Sequence, residues 1–123
     1  MPIRWSVDQP RQMLLATAEG EITSKELVEY LDAVVAAGTM PYRKLFDGSQ
    51  AWSAMADEEM MVLSAWLRTY RGQGKTGALA IVAAADKTQG LARLFGALAV
   101  ADRRTKIFET LKAAREWIDA QLQ

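Results

Sequence analysis

The chain contains no cysteine and no histidine. Without cysteine it forms no disulfide and offers no thiol nucleophile or thiolate metal ligand. Without histidine it lacks the commonest general base near neutral pH and the commonest metal ligand. A histidine-dependent triad hydrolase and a Cys/His zinc centre are therefore excluded, and neither a metal nor a cofactor is expected. An excess of either charge is also missing, because Lys plus Arg and Asp plus Glu stand at 15 each. Nucleic-acid binders usually carry a basic excess or stripe, so nucleic acid is not an expected partner. A zero balance gives little colloidal repulsion and favours self-association; a homodimer is expected. The longest apolar run, Ala78 to Ala85, falls far short of the ~20 residues that span a bilayer. The start, Met1-Pro2-Ile3-Arg4-Trp5, has no apolar signal core, so the expectation is a cytoplasmic protein without a transmembrane segment.

What is present reads as one α/β domain over residues 1–123, half of it hydrophobic and a quarter charged. Ile3, Trp5 and Val7 alternate with Arg4, Ser6 and Asp8, the period of a half-buried strand. Asp8-Gln9-Pro10-Arg11 carries turn chemistry, and Gln12 to Ala18 reads as the second arm of a hairpin. Thr23-Ser24-Lys25-Glu26 fits a capping box for a first helix that stops at Gly38. Arg43 to Asp47 reads as a buried strand, Gly48 to Ala56 as a loop, and Glu58 to Arg71 as a second helix with Met60, Leu63, Leu67 and Tyr70 on one face. The continuously apolar stretch from Gly77 to Ala84 suits a strand covered on both faces. Asp86 caps a third helix, Arg104 to Phe108 forms the last strand, and Thr110 to Leu122 the closing helix. The order ββαβαβαβα implies an N-terminal hairpin followed by right-handed crossovers: a mostly parallel sheet of four or five strands with helices mainly on one face.

That order resembles the STAS domain, and more closely the small bacterial STAS/SEC14, or SpoIIAA-like, proteins. The residues that carry the resemblance are Ile3-Arg4-Trp5-Ser6-Val7-Asp8, Pro41-Tyr42-Arg43-Lys44-Leu45-Phe46-Asp47, Ala80-Ile81-Val82-Ala83, Gly90-Leu91-Ala92-Arg93, Lys106-Ile107-Phe108 and Ala113-Ala114-Arg115-Glu116-Trp117-Ile118. The resemblance spans nearly the whole chain. STAS antagonists are switched by phosphorylation of a serine at the start of the second helix. Here Asp57-Glu58-Glu59-Met60 stands in that place, with Ser53 four residues upstream. Two readings of Asp57, Glu58 and Glu59 stay open. They provide fixed charge where a relative would carry phosphate, or they cap the helix and favour its dipole by about 0.3–1 kcal/mol each.

Among candidate sites, Gly74-Lys75-Thr76 mimics the tail of a phosphate loop, but Thr69 stands where its first glycine belongs, and the helix-to-strand order is reversed. Asp47, near the end of a parallel strand, is the one carboxylate in a position typical of catalysis. Capping of its own loop is the competing reading. Trp52, Met55, Met60, Met61, Trp66 and Phe95 form a larger apolar set, and Met61 and Trp66 fall off the Met60–Leu63–Leu67 face. Methionine and tryptophan make adaptable contact surface. These residues line a groove for an apolar ligand, form a patch for a partner or second subunit, or close the edge of the core. The expected function is a non-catalytic binding or regulatory module working through Trp52, Met55, Asp57, Glu58, Met61, Trp66 and Phe95. A carrier of a lipid or other apolar small molecule ranks second, and an enzyme using carboxylates alone, tested by Asp47→Asn, ranks third.

Overall fold

The computed structural model describes residues 3–52, 56–71, 77–84 and 105–121. The helix expected after Asp86 and the Gly74-Lys75-Thr76 turn lie outside them. Strand β1 (Ile3–Asp8) pairs antiparallel with β2 (Met13–Glu21), from Ile3 opposite Ala18 to Asp8 opposite Met13. The intervening turn is closed by its own chemistry: the Arg11 N–H donates to Asp8 Oδ1 at 3.3 Å and the Gln12 N–H to the Gln9 carbonyl at 3.1 Å.

Helix α1 (Ser24–Ala36) is capped by Thr23, whose Oγ1 accepts from the Glu26 N–H at 3.3 Å. The reciprocal half of the expected box does not follow, since Glu26 Oε2 is buried with no hydrogen-bond partner. At the other end Gly38 adopts φ +72°, a left-handed conformation that glycine accepts without steric cost. This reversal lets the Gly38 and Thr39 N–H groups reach the Val35 and Val34 carbonyls, both at 3.1 Å.

Strand β3 (Arg43–Trp52) is longer than its sequence suggests. The stretch Gly48 to Trp52 is strand, not loop, because β2 also runs on to Glu21 and the two stay paired. Glu19, Gly20 and Glu21 lie opposite Gln50, Ala51 and Trp52. The register shifts between Thr17 and Glu19. Gly48 and Ser49 there oppose the single Ala18, a bulge that absorbs the turn-forming residues without ending the strand. Helix α2 (Asp57–Arg71), strand β4 (Leu79–Ala83), strand β5 (Thr105–Phe108) and helix α3 (Leu111–Asp119) follow. The five strands lie in the order β1-β2-β3-β4-β5, antiparallel at β1–β2 and parallel from β2 onward.

Alternation along the strands divides the core in two. Leu14, Phe46, Leu79 and Ile81 point to one face, where Leu27, Leu31 and Val34 of α1 and Leu63 of α2 cover them. Tyr30 meets Phe46 edge-on, with ring centroids 5.9 Å apart. Met13, Leu45, Ala80 and Val82 point to the other face and are covered by Ala114 and Ile118 of α3. All of β4 is buried, as an apolar run covered on both sides requires. Of the described helices, α1 and α2 share a face while α3 takes the opposite one. The crossover rule binds helices that connect parallel strands, and no described strand follows α3. Among the described residues, no helix is long and apolar enough to cross a membrane.

Candidate functional site

Helix α2 sorts its side chains by the 3.6-residue period. Leu63 turns into the core, whereas Met61 and Val62 just before it face outward, each 73% exposed. Trp66 lies half-buried, packed against the core cluster one turn further on. Val28 of α1 is likewise half-buried and faces α2. Between the two helices runs an open cleft of about 270 Å³, lined by Lys25, Val28 and Glu29 from α1 and by Val62, Leu63 and Trp66 from α2. Its walls are aliphatic and indole surface, and a cation and an anion stand at its α1 rim. Such a wall accepts an apolar side chain, and the rim orients it.

The expected site residues do not gather into one site. Trp66 lines the cleft and also packs against the edge of the core, whereas Met61 is exposed on α2 beside Val62 and does not line the cleft. Trp52 ends β3 at the margin of the sheet, 40% exposed, and its carbonyl accepts the Ile22 N–H at 2.8 Å. It is a strand residue rather than a loop residue, and it does not line the cleft. Glu58 and Glu59 are exposed in the first turn of α2. Ser53, Met55, Phe95 and the side chains of Asp57 and Met60 lie outside the described residues. Val28 and Val62 were missed by the sequence reading. The available signal was Val62 beside Met61, two large apolar residues in succession outside the core-facing stripe.

A second, larger groove of about 410 Å³ lies on the opposite face, where α3 leaves β1 and β2 uncovered. Arg4, Ser6, Thr17 and Asp47 line its sheet side, and Leu111 and Arg115 its helical side. Asp47 Oδ1 accepts from Ser49 Oγ at 2.7 Å and from the Ser49 N–H at 3.1 Å, so its carboxylate braces the bulge of β3. Arg4 pairs with Glu19 at 2.7 Å. Asp47 is the one carboxylate lining the groove among the described residues. Among the described residues, no group of three or more His, Cys, Asp or Glu side chains could hold a metal ion.

The sequence matches no family model and no curated protein. Similarity appears among solved structures. An uncharacterized protein from the DUF3478 family of Shewanella loihica PV-4, described as having a SpoIIAA-like fold, is 15% identical and superposes with a TM-score of 0.62. The match covers 94% of this chain and 93% of that one. The chain therefore has the SpoIIAA-like (STAS) fold that its order of strands and helices suggests.

Proposed function

We propose that this domain is a non-catalytic binding module that receives an apolar side chain of a protein partner in the α1–α2 cleft. One observation carries the reading: Val62 stands at 73% exposure on the wall of an apolar cleft, next in sequence to the equally exposed Met61, although Leu63 of the same helix is buried in the core. Paired exposure of large apolar side chains next to a recess is characteristic of contact surfaces. The acids at the start of α2 supply permanent charge near that surface, so binding there needs no kinase. The cleft is open and, at about 270 Å³, smaller than the roughly 300–1,000 Å³ typical of sites that enclose a small molecule. That favours a protein side chain over a carried lipid.

Photo-crosslinking in the source cell tests the reading. With the crosslinking residue at Val62, one discrete adduct is expected, absent when the same residue replaces Lys112 on α3. Equal adducts from both positions, or none from Val62, count against the cleft as the working surface.

A further inference from the structure

Strand β1 is the outer strand of the sheet and pairs only with β2 among the described residues. Alternate N–H and C=O groups of such an edge point outward and are available to another strand. The opposite edge is defended: β5 has four residues and carries the exposed Lys106. β1 is longer, and its charges are an opposite pair, Arg4 and Asp8, that a second copy can neutralise. It runs for six residues in unbroken register with β2, without lysine, proline or a bulge, and exposes Trp5 at 36% on the α1 side. Arg4 and Ser6 are exposed on the other side.

We propose that β1 pairs antiparallel with β1 of a second copy of this chain, about a two-fold axis through Ser6, joining the two sheets into one. In this register Ser6 meets Ser6 of the second copy, Arg4 lies opposite Asp8, and Trp5 opposite Val7. Each unlike pair occurs twice, with the charged pairs on the α3 side and the apolar pairs on the α1 side. Registers centred on Trp5 or Val7 bring no opposite charges together, so the charge pattern selects the Ser6 axis. The existing contacts permit it. Arg4 holds Glu19 through Nη2, which leaves donors on its five-donor fork. The Asp8 oxygen Oδ1 takes the Arg11 N–H, which leaves Oδ2 to accept. The protein's zero net charge sets no long-range repulsion against the pairing.

Because the chain has no cysteine, Ser6→Cys introduces a single thiol at the axis. Facing Cα atoms in an antiparallel pair lie about 4.5–5.5 Å apart, inside the span that a disulfide bridges. Mild oxidation should convert this variant to a covalent dimer, while Lys112→Cys on exposed α3 stays monomeric. Charge reversal gives an independent reading by sedimentation velocity. Arg4→Asp and Asp8→Arg should each be monomeric alone, yet form a one-to-one dimer when mixed, since mixing restores opposite charge at both pairs. A wild-type protein monomeric up to about 200 µM overturns the proposal. So does a dimer that survives both reversals without crosslinking through Ser6→Cys.

Discussion

Lys44 sits at the start of β3, only 2% exposed, and its ammonium is solvated by the chain itself. Nζ donates to the Met40 carbonyl at 2.6 Å and to the Tyr42 carbonyl at 2.8 Å, tying down the turn that leads from α1 into the sheet. Gly77 closes the same turn from the other side, donating its N–H to the Met40 carbonyl at 3.3 Å. A Cβ at Gly77 would run into the Tyr42 carbonyl, which is backbone held by the turn and unable to swing aside. Gly77→Ala should therefore cost about 2–3 kcal/mol, the upper part of the overpacking range, read as a lowered melting temperature. Lys44→Met preserves chain length but removes the ammonium donor from the buried Met40 carbonyl, which keeps the Gly77 N–H, and from the part-buried Tyr42 carbonyl. It should cost about 1–3 kcal/mol, seen as a lower urea midpoint at unchanged slope.

Helices α1 and α3 are fixed at their ends, and the partners of those ends differ in how far along the chain they lie. Thr23 Oγ1 caps α1 through the Glu26 N–H, and Thr110 Oγ1 caps α3 by accepting from the Ala113 N–H at 3.2 Å. Both bonds span three residues. Thr23→Ala and Thr110→Ala should each cost about 1 kcal/mol. Because the helices lie on opposite faces and share no partner, the double variant should lose about 2 kcal/mol in equilibrium unfolding. The C-terminus of α3 is held from afar. Arg43 Nη1 donates to the carbonyls of Ile118, Asp119 and Gln121 at 3.3, 3.3 and 3.2 Å, and Arg11 pairs with Asp119 at 2.7 Å. A cation among the last carbonyls of a helix is well placed electrostatically. This contrast explains what could be read from the sequence. The Thr23 cap, the hairpin turn and the Gly38 stop are local codes, and each lies where the sequence indicates. The Arg43 clamp and the second half of β3 depend on tertiary neighbours. Gly48-Ser49 has the composition of a turn, and only the continued pairing with β2 makes it a bulge within a strand.

At the scale of the whole molecule, the described helices α1 and α2 share one face of the sheet and α3 covers the other over β3 to β5, with one recess between α1 and α2 and another where α3 leaves β1 and β2 uncovered. The face of α2 that carries Met61 was legible, because it departs from the core stripe. Val28 was not, since pairing it with Val62 requires the packing of α1 beside α2. Core and surface are adjacent in sequence here, which allows them to be tested apart. Leu63 is buried within the main cluster, so Leu63→Ala should cost about 2–4 kcal/mol through lost burial and a residual cavity. Val62 is its immediate neighbour but is largely solvated, so Val62→Asp should change stability by no more than about 0.5 kcal/mol. It places a carboxylate at the mouth of the apolar cleft, where an incoming apolar side chain would have to desolvate it. With a crosslinking residue at Glu29, on the α1 side of the cleft, the partner adduct should vanish in Val62→Asp while the unfolding midpoint stays at the wild-type value. An adduct that persists in Val62→Asp assigns binding to another surface.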